Sequence, residues 1–254
     1  MRSPSSAGYP ADREPSPHFT EIFMSEPQIN AGDIGDWPIL KIDYLTDKDK
    51  VAALLPPGIE PGDNPHVNLS IYQVAVPDVP EYGVFMTVDA GYRGTEGMYT
   101  LGYGIDQESA VFISRDMNGQ PKFPCQTDYY RYQDKVTARC THQGYTFIEF
   151  EGTVGDAAPK REDHEENEWW IKVLRAVGGA EKAYDFPPHV VRVKSSYATR
   201  AEIEVEGELG LLESPWDPIA SLLPVREYQG ARLWWPEFRG REITLEGTLD
   251  PEGY

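Results

Sequence analysis

The stretch SRDMNGQPKFPCQ, Ser114 to Gln126, places one lysine, Lys122, after Pro121 and before Phe123 and Pro124. A lysine attacks a ketone or aldehyde only as the neutral amine, and an ordinary pKa of about 10.4 keeps it charged near pH 7. Apolar burial or a second cation can free the amine. It then forms a Schiff base with the carbonyl carbon. The resulting iminium draws in electrons, so a neighbouring C–C bond can break by decarboxylation or by retro-aldol cleavage. Pro121, Phe123 and Pro124 are the expected apolar walls, and desolvation is the expected means of freeing the amine. Gln120, two residues earlier, is a candidate hydrogen-bond partner for a substrate carbonyl or hydroxyl. The plain alternative is a lysine whose stem lies along Phe123 at a strand edge, with its head in water.

Other chemistries have less support. There is no G-x-G-x-x-G after a strand, no G-x-x-x-x-G-K-[ST] and no G-x-S-x-G. The five histidines are scattered, and His164 sits among Glu162, Asp163, Glu165 and Glu166 in what reads as a solvated acidic face. The sequence therefore implies no metal and no cofactor. Tyrosines gather upstream of Lys122: Tyr82, Tyr92, Tyr99 and Tyr103. Tyr99, Leu101 and Tyr103 at period two are expected on one face of one strand. Tyr82 and Tyr103 are the candidates for general acid/base work or for orienting a substrate oxygen.

The elements that position these residues read as β. "VNLSIYQVAV", "YGVFMTVDAGY", "GMYTLGYGI" and "AVFISRDM" are strand-like runs separated by turn residues. "KVTARCTHQGYTFIEFEGTVG", "HVVRVKSSYATRAEIEVEGELGLL" and "GREITLEGTL" continue the series. "KDKVAALL" reads as a short helix, capped by Thr46 or Asp47 and ended by Pro56–Pro57. "REDHEENEWWIKVLRAVGG", acidic and then apolar at helical spacing, reads as a helix or partly helical insertion. Residues 1–32 are a Pro/Ser-rich arm, and residues 33–254 form a single β-rich domain, a barrel or sandwich.

Hydrophobic residues make up 40% of the 254 residues, enough for a substantial core. A net charge of −19 argues against nucleic acid and against an anionic membrane as partner. No run of about 18 apolar residues is available to span a bilayer. The N-terminus lacks the apolar stretch of a secretory signal. Two cysteines, too few for a disulfide framework, suit a reducing cytoplasm. "LWWPEFRG", with Trp234, Trp235 and Phe238, offers either a core or an apolar contact between subunits.

The wider pattern resembles the acetoacetate decarboxylase family. "SRDMNGQPKFP" is similar to its G-R-E-x-x-G-x-P-K-K segment, in which the first lysine forms the Schiff base. "TDKDKVAALLPPGIEP" resembles T-D-P-x-x-L-x-x-x-L-P-x-x-L-x-P, and "GMYTLGYGIDQESAVFISRD" resembles the run that ends in G-R-E. "ESPWDPIASLLPVREY" resembles P-x-D-P-L-x-x-L-P-V. The four matches fall in family order between about residues 37 and 230. The resemblance implies a mainly β (α+β) fold, an antiparallel cone-shaped β-barrel with flanking helices. It also implies a homo-oligomer and a small-molecule carbonyl substrate.

The departures from the family pattern matter equally. The second lysine of the family motif is Phe123 here. The family's arginine falls near Trp37, and its glutamate falls near Gly83 or Val84, so both are expected to be missing. Trp37 and Phe123 would then make the substrate pocket more aromatic. The leading expectation is a carbon–carbon lyase of aldolase, dehydratase or decarboxylase type. A second is authentic β-keto acid decarboxylation, with the carboxylate held by Arg115 or Arg93. A third is a non-catalytic small-molecule-binding barrel.

Overall fold

The computed structural model describes residues 37–74, 80–179 and 181–254. The arm at residues 1–32 lies outside them. The described residues carry twelve strands and three short helices. In chain order these begin with β1 (Ile39–Leu45), α1 (Lys48–Leu54), β2 (Glu60–Pro61), β3 (His66–Val74), β4 (Glu81–Tyr92) and β5 (Thr95–Ile105). Next come α2 (Glu108–Asn118), β6 (Lys122–Pro124), β7 (Gln126–Tyr132), β8 (Lys135–His142), β9 (Tyr145–Ala157) and β10 (His164–Lys172). The last are β11 (His189–Leu211), α3 (Ile219–Leu222) and β12 (Glu227–Thr248).

The pairings run β5–β4–β3–β1–β12–β11–β10, and β10 returns to β5, so seven strands close a ring. Neighbours are antiparallel except at the closure, where Glu168 and Trp169 pair in parallel with Met98 and Tyr99. Closure leaves these strands no open edge. β11 and β12 are 23 and 22 residues long, and three register shifts interrupt their pairing. Such bulges bend strands. The first part of β11 pairs with β10, and the part from Ile203 to Leu211 pairs with β9. β9, β8 and β7 extend the sheet beyond the ring.

Alternation along the strands builds two cores. Ile39, Tyr72, Phe85, Tyr103, Trp170, Tyr197 and Trp234 cluster together. The opposite faces carry Leu40, Ile42, Leu69, Ile71 and Val84, which belong to a larger cluster with Tyr129, Cys140, Ile148 and Phe150. The same division serves the site, because Lys122 turns to the first cluster and Phe123 to the second.

Three local expectations are corrected. "AVFISRDM" belongs to helix α2, not to a strand. Its stop signal is Gly119, left-handed at φ 72°, whose N–H bonds the carbonyls of Arg115 and Ser114. "HEENEWWIK" is strand β10, not a helix. Glu166, Glu168 and Trp170 face the ring interior, while Trp169 and Ile171 face the larger core, so both sides are buried and the polar–apolar alternation is masked. Tyr99 and Tyr103 do not share a face. The register slips at Leu101, where Met86 pairs with Gly102 but Thr87 with Thr100. That extra residue sends Tyr99 to the larger core and Tyr103 to the interior.

Candidate functional site

The Lys122 strand is fixed from both ends. Gly119 closes α2 where a Cβ would lie 2.4 Å from the Cα of Lys172, so a side chain is excluded there on space as well as on φ. The Gln120 N–H bonds Ser114 O at 3.3 Å, and the Lys122 N–H bonds Gln120 O at 2.7 Å. Pro121 has no N–H to give, but its carbonyl accepts the Tyr103 N–H at 3.0 Å. β6 then pairs in parallel with β5, Lys122 beside Tyr103 and Pro124 beside Ile105. The Gly-Gln-Pro-Lys-Phe-Pro frame is therefore a helix stop followed by a three-residue parallel strand.

Lys122 faces a cavity of about 240 Å³ inside the ring. Its amine lies 3.5 Å from Glu81 Oε2, with the two side chains only 11% and 8% exposed. Glu81 Oε1 accepts the Tyr72 hydroxyl at 3.1 Å. Gly83 permits that approach, since a Cβ there would stand 2.6 Å from the Tyr72 hydroxyl oxygen. Tyr103 stacks on Phe85 with ring centroids 4.2 Å apart and donates its hydroxyl to Glu168 Oε2 at 3.0 Å. The same oxygen accepts Trp170 Nε1–H at 3.2 Å. Gln120 is buried and also lines the cavity.

Two further cations reach this space. Lys41 lies 5.0 Å over the Trp234 ring. Arg241 stands exposed at the rim, its Nε–H donating to Ser195 Oγ at 3.1 Å and its guanidinium 5.6 Å from the Phe238 ring.

The environment separates the titrating groups. Burial, then the neighbouring Glu81 carboxylate, pushes the Tyr72 hydroxyl well up; burial and Glu168 do the same to Tyr103. Both tyrosines therefore serve as hydrogen-bond donors rather than bases near neutrality. Burial also raises the Glu168 carboxyl, against the pull of Arg241 and the bond from Tyr103. Glu166, on the same face of β10, behaves in the opposite way. Burial is the largest single influence on it and works upward, but Lys41, His164 and Arg161 together hold it at about 2.

Of the residues singled out from sequence, the fold brings Lys122, Tyr103 and Gln120 together at the cavity. Tyr82 is on the other face of β4 from Glu81, its backbone N–H bonded to Asp106 Oδ1. Trp37 meets Tyr129 edge-on in the larger core. Phe123 packs against His142 and Phe147, with centroids 5.1 and 6.4 Å away. Arg115 is exposed in the last turn of α2, and Arg93 lies in the β4–β5 turn against Tyr92. Trp234 is buried inside the ring and Phe238 lines the cavity, so neither is set for an outward subunit contact.

A glutamate that sequence reasoning did not single out stands beside the amine: Glu81, two residues before Gly83 and on the same face of β4. Its signal was present in the period-two series Glu81, Gly83, Phe85. Glu168, Glu166, Lys41, Tyr72 and Arg241 were also missed. The first carried one cue, a charge set directly against a Trp-Trp-Ile run. Among the described residues no group of three or more His, Cys, Asp or Glu could hold a metal ion. No helix among them is long and apolar enough to cross a membrane.

Comparison with known proteins agrees with this architecture. The family model described as acetoacetate decarboxylase (ADC) matches residues 15–248. An acetoacetate decarboxylase from Legionella pneumophila superposes with a TM-score of 0.67 at 17% identity, covering 94% of this chain and 97% of that one. An acetoacetate decarboxylase-like enzyme from Sphingomonas wittichii RW1 gives 0.67 at 16% identity, over 84% and 91%. The enduracididine biosynthesis enzyme MppR, complexed with pyruvate, gives 0.65 at 15% identity, over 81% and 87%. No curated protein matches the chain.

Proposed function

Because the chain belongs to the acetoacetate decarboxylase family, we propose that it is a Schiff-base-forming carbon–carbon lyase that acts on a ketone, aldehyde or keto acid through Lys122. The observation that carries this reading is an amine enclosed with a carboxylate: Lys122 Nζ, 3.5 Å from Glu81 and facing the interior cavity. Attack needs the neutral amine, and Glu81 is the neighbouring group that would accept the proton the ammonium gives up. Nitrogen adds to the carbonyl carbon, the carbinolamine loses water, and the iminium accepts the electron pair of the bond that breaks. Tyr72 keeps Glu81 oriented, and Gln120 is placed to hydrogen-bond a polar group of the substrate.

Phe123 does not wall this cavity, so the aromatic surface that meets substrate is Phe85, Tyr103, Trp234 and Phe238. Arg241 at the rim favours a substrate with an anionic group, which brings keto acids ahead of neutral ketones. Enclosure of the amine weighs against a binding barrel without chemistry.

The test is reduction with borohydride in the presence of aliphatic and aromatic keto acids and aldehydes, followed by peptide mass spectrometry. A reduced adduct on Lys122 is the expected result. Absence of an adduct across the panel, or full activity in Lys122→Ala, would refute the assignment.

A further inference from the structure

We propose that Glu168 is the proton-transfer residue of this site, the group that takes and returns the proton at the carbon beside the Lys122 iminium. The proposal rests on the Schiff-base reading of Lys122. Three carboxylates line the cavity: Glu81, Glu166 and Glu168. Glu81 is engaged with the Lys122 amine and the Tyr72 hydroxyl. Glu166 is engaged with His164 Nε2 at 3.3 Å and Arg161 at 3.9 Å.

Glu168 differs in its partners. It is 3% exposed, and among the described residues no cation lies within ion-pair distance of it. Its two donors are neutral, and both bond the same oxygen, Oε2: Tyr103 at 3.0 Å and Trp170 at 3.2 Å. That pair of bonds fixes the carboxyl through Oε2. Tyr103 is the cross-strand neighbour of Lys122, so the carboxyl is held by the residue paired with the nucleophile.

Two acids two residues apart on one strand, driven in opposite directions by their surroundings, are the usual signature of divided acid and base roles. Burial raises the Glu168 carboxyl, and the Glu166 charge adds to this; Arg241 from β12 and the Tyr103 bond from β5 oppose it. A carboxyl moved upward is a better proton carrier near neutrality than one held low.

The step balances without a co-reactant. From the iminium, the C–H electron pair moves toward nitrogen to give the enamine, and the proton goes to the Glu168 carboxylate. Reversal returns a proton to carbon. After C–C cleavage the same acid protonates the enamine carbon, and water hydrolyses the new iminium.

The experiment uses the full chain with pyruvate, acetone and phenylpyruvate as probes. Two quantities are read for each: borohydride-trapped adduct by intact mass, and α-hydrogen exchange in D2O by NMR. Wild type is expected to give both with at least one probe. Glu168→Gln is expected to keep trapping within about threefold while exchange falls at least ~100-fold, the usual scale of a lost acid/base group. Exchange within threefold of wild type, with trapping retained, overturns the Glu168 role and leaves Lys122 standing. Trapping in wild type without exchange also overturns it. No trapping with any probe removes the Schiff-base reading itself, and this proposal with it. Should Glu168→Gln fail to fold, Glu168→Asp decides: trapping kept with exchange reduced at least ~10-fold supports the role, and undiminished exchange refutes it.

Discussion

Lys122 and Phe123 are adjacent on a three-residue strand, yet they enter different interiors. The lysine faces a ring interior where carboxylates, tyrosines and an indole bond one another: Lys122 to Glu81 to Tyr72, and Tyr103 to Glu168 to Trp170. The phenylalanine faces a core of Phe147, Cys125, Cys140 and Phe150. Buried polar groups cost stability unless they are paired, whereas apolar burial stabilises at roughly 25 cal/mol per Å². The chain thus concentrates its polar burial on one side of β6 and its apolar anchoring on the other.

The largest effect should come from the polar side. Lys122→Ala is expected to abolish the borohydride adduct entirely while the β-type circular dichroism spectrum is kept. An adduct that persists on another lysine would show that the polarity of the interior, and not this amine, carries the chemistry. Glu81→Gln comes next. It keeps an oxygen for Tyr72 but removes the proton acceptor beside the amine, so adduct formation should slow by about 10²-fold. A time course of trapping measures it, and an unchanged rate would assign the proton transfer elsewhere.

Phe123→Ala tests the other face of the same strand. It should lower stability by about 2–3 kcal/mol, less than the ~3–5 of a fully buried aromatic because Phe123 is only partly buried, with adduct formation largely kept. Urea unfolding combined with trapping checks both. Equal damage to trapping would mean that the two interiors are coupled through β6.

This division was only partly legible in the sequence. The β texture from residue 67 onward, the α1 helix and the special setting of Lys122 were readable, because alternation, turn residues and a Gly-x-Pro stop are local signals. The facing of residues was not. A single extra residue at Leu101 turns Tyr99 away from Tyr103, and nothing local announces a bulge. Strand β10 read as helix because its inward positions carry Glu166 and Glu168 where a buried strand should be apolar. Buried carboxylates broke the very pattern used to find strands. Phe123 and Trp37 looked like pocket walls only while the core each packs into was unknown. Arg241 lies 119 positions after Lys122 and meets the cavity only once β12 has joined the ring, so no local pattern could point to it.

The smallest effect compares Glu166 with Glu168, which are on one face of β10 but are pushed in opposite directions. Glu166 has a folded pKa of about 2, below the unfolded value of about 4.3. Its contribution to stability is therefore present above that unfolded value and is lost as pH falls from about 4 through about 2. For Glu168, burial raises the folded value, so the native state resists ionising it, and stability declines as pH rises above the unfolded value. Relative to wild type, Glu166→Gln should be destabilised near pH 6, with the gap closing toward pH 2. Glu168→Gln should show the reverse trend, gaining on wild type as pH rises from about 4. Thermal melts of the three proteins across that range measure the slopes. Parallel slopes would mean that the Lys41, His164 and Arg161 charges do not distinguish the two carboxyls, and the divided roles on β10 would lose their electrostatic basis.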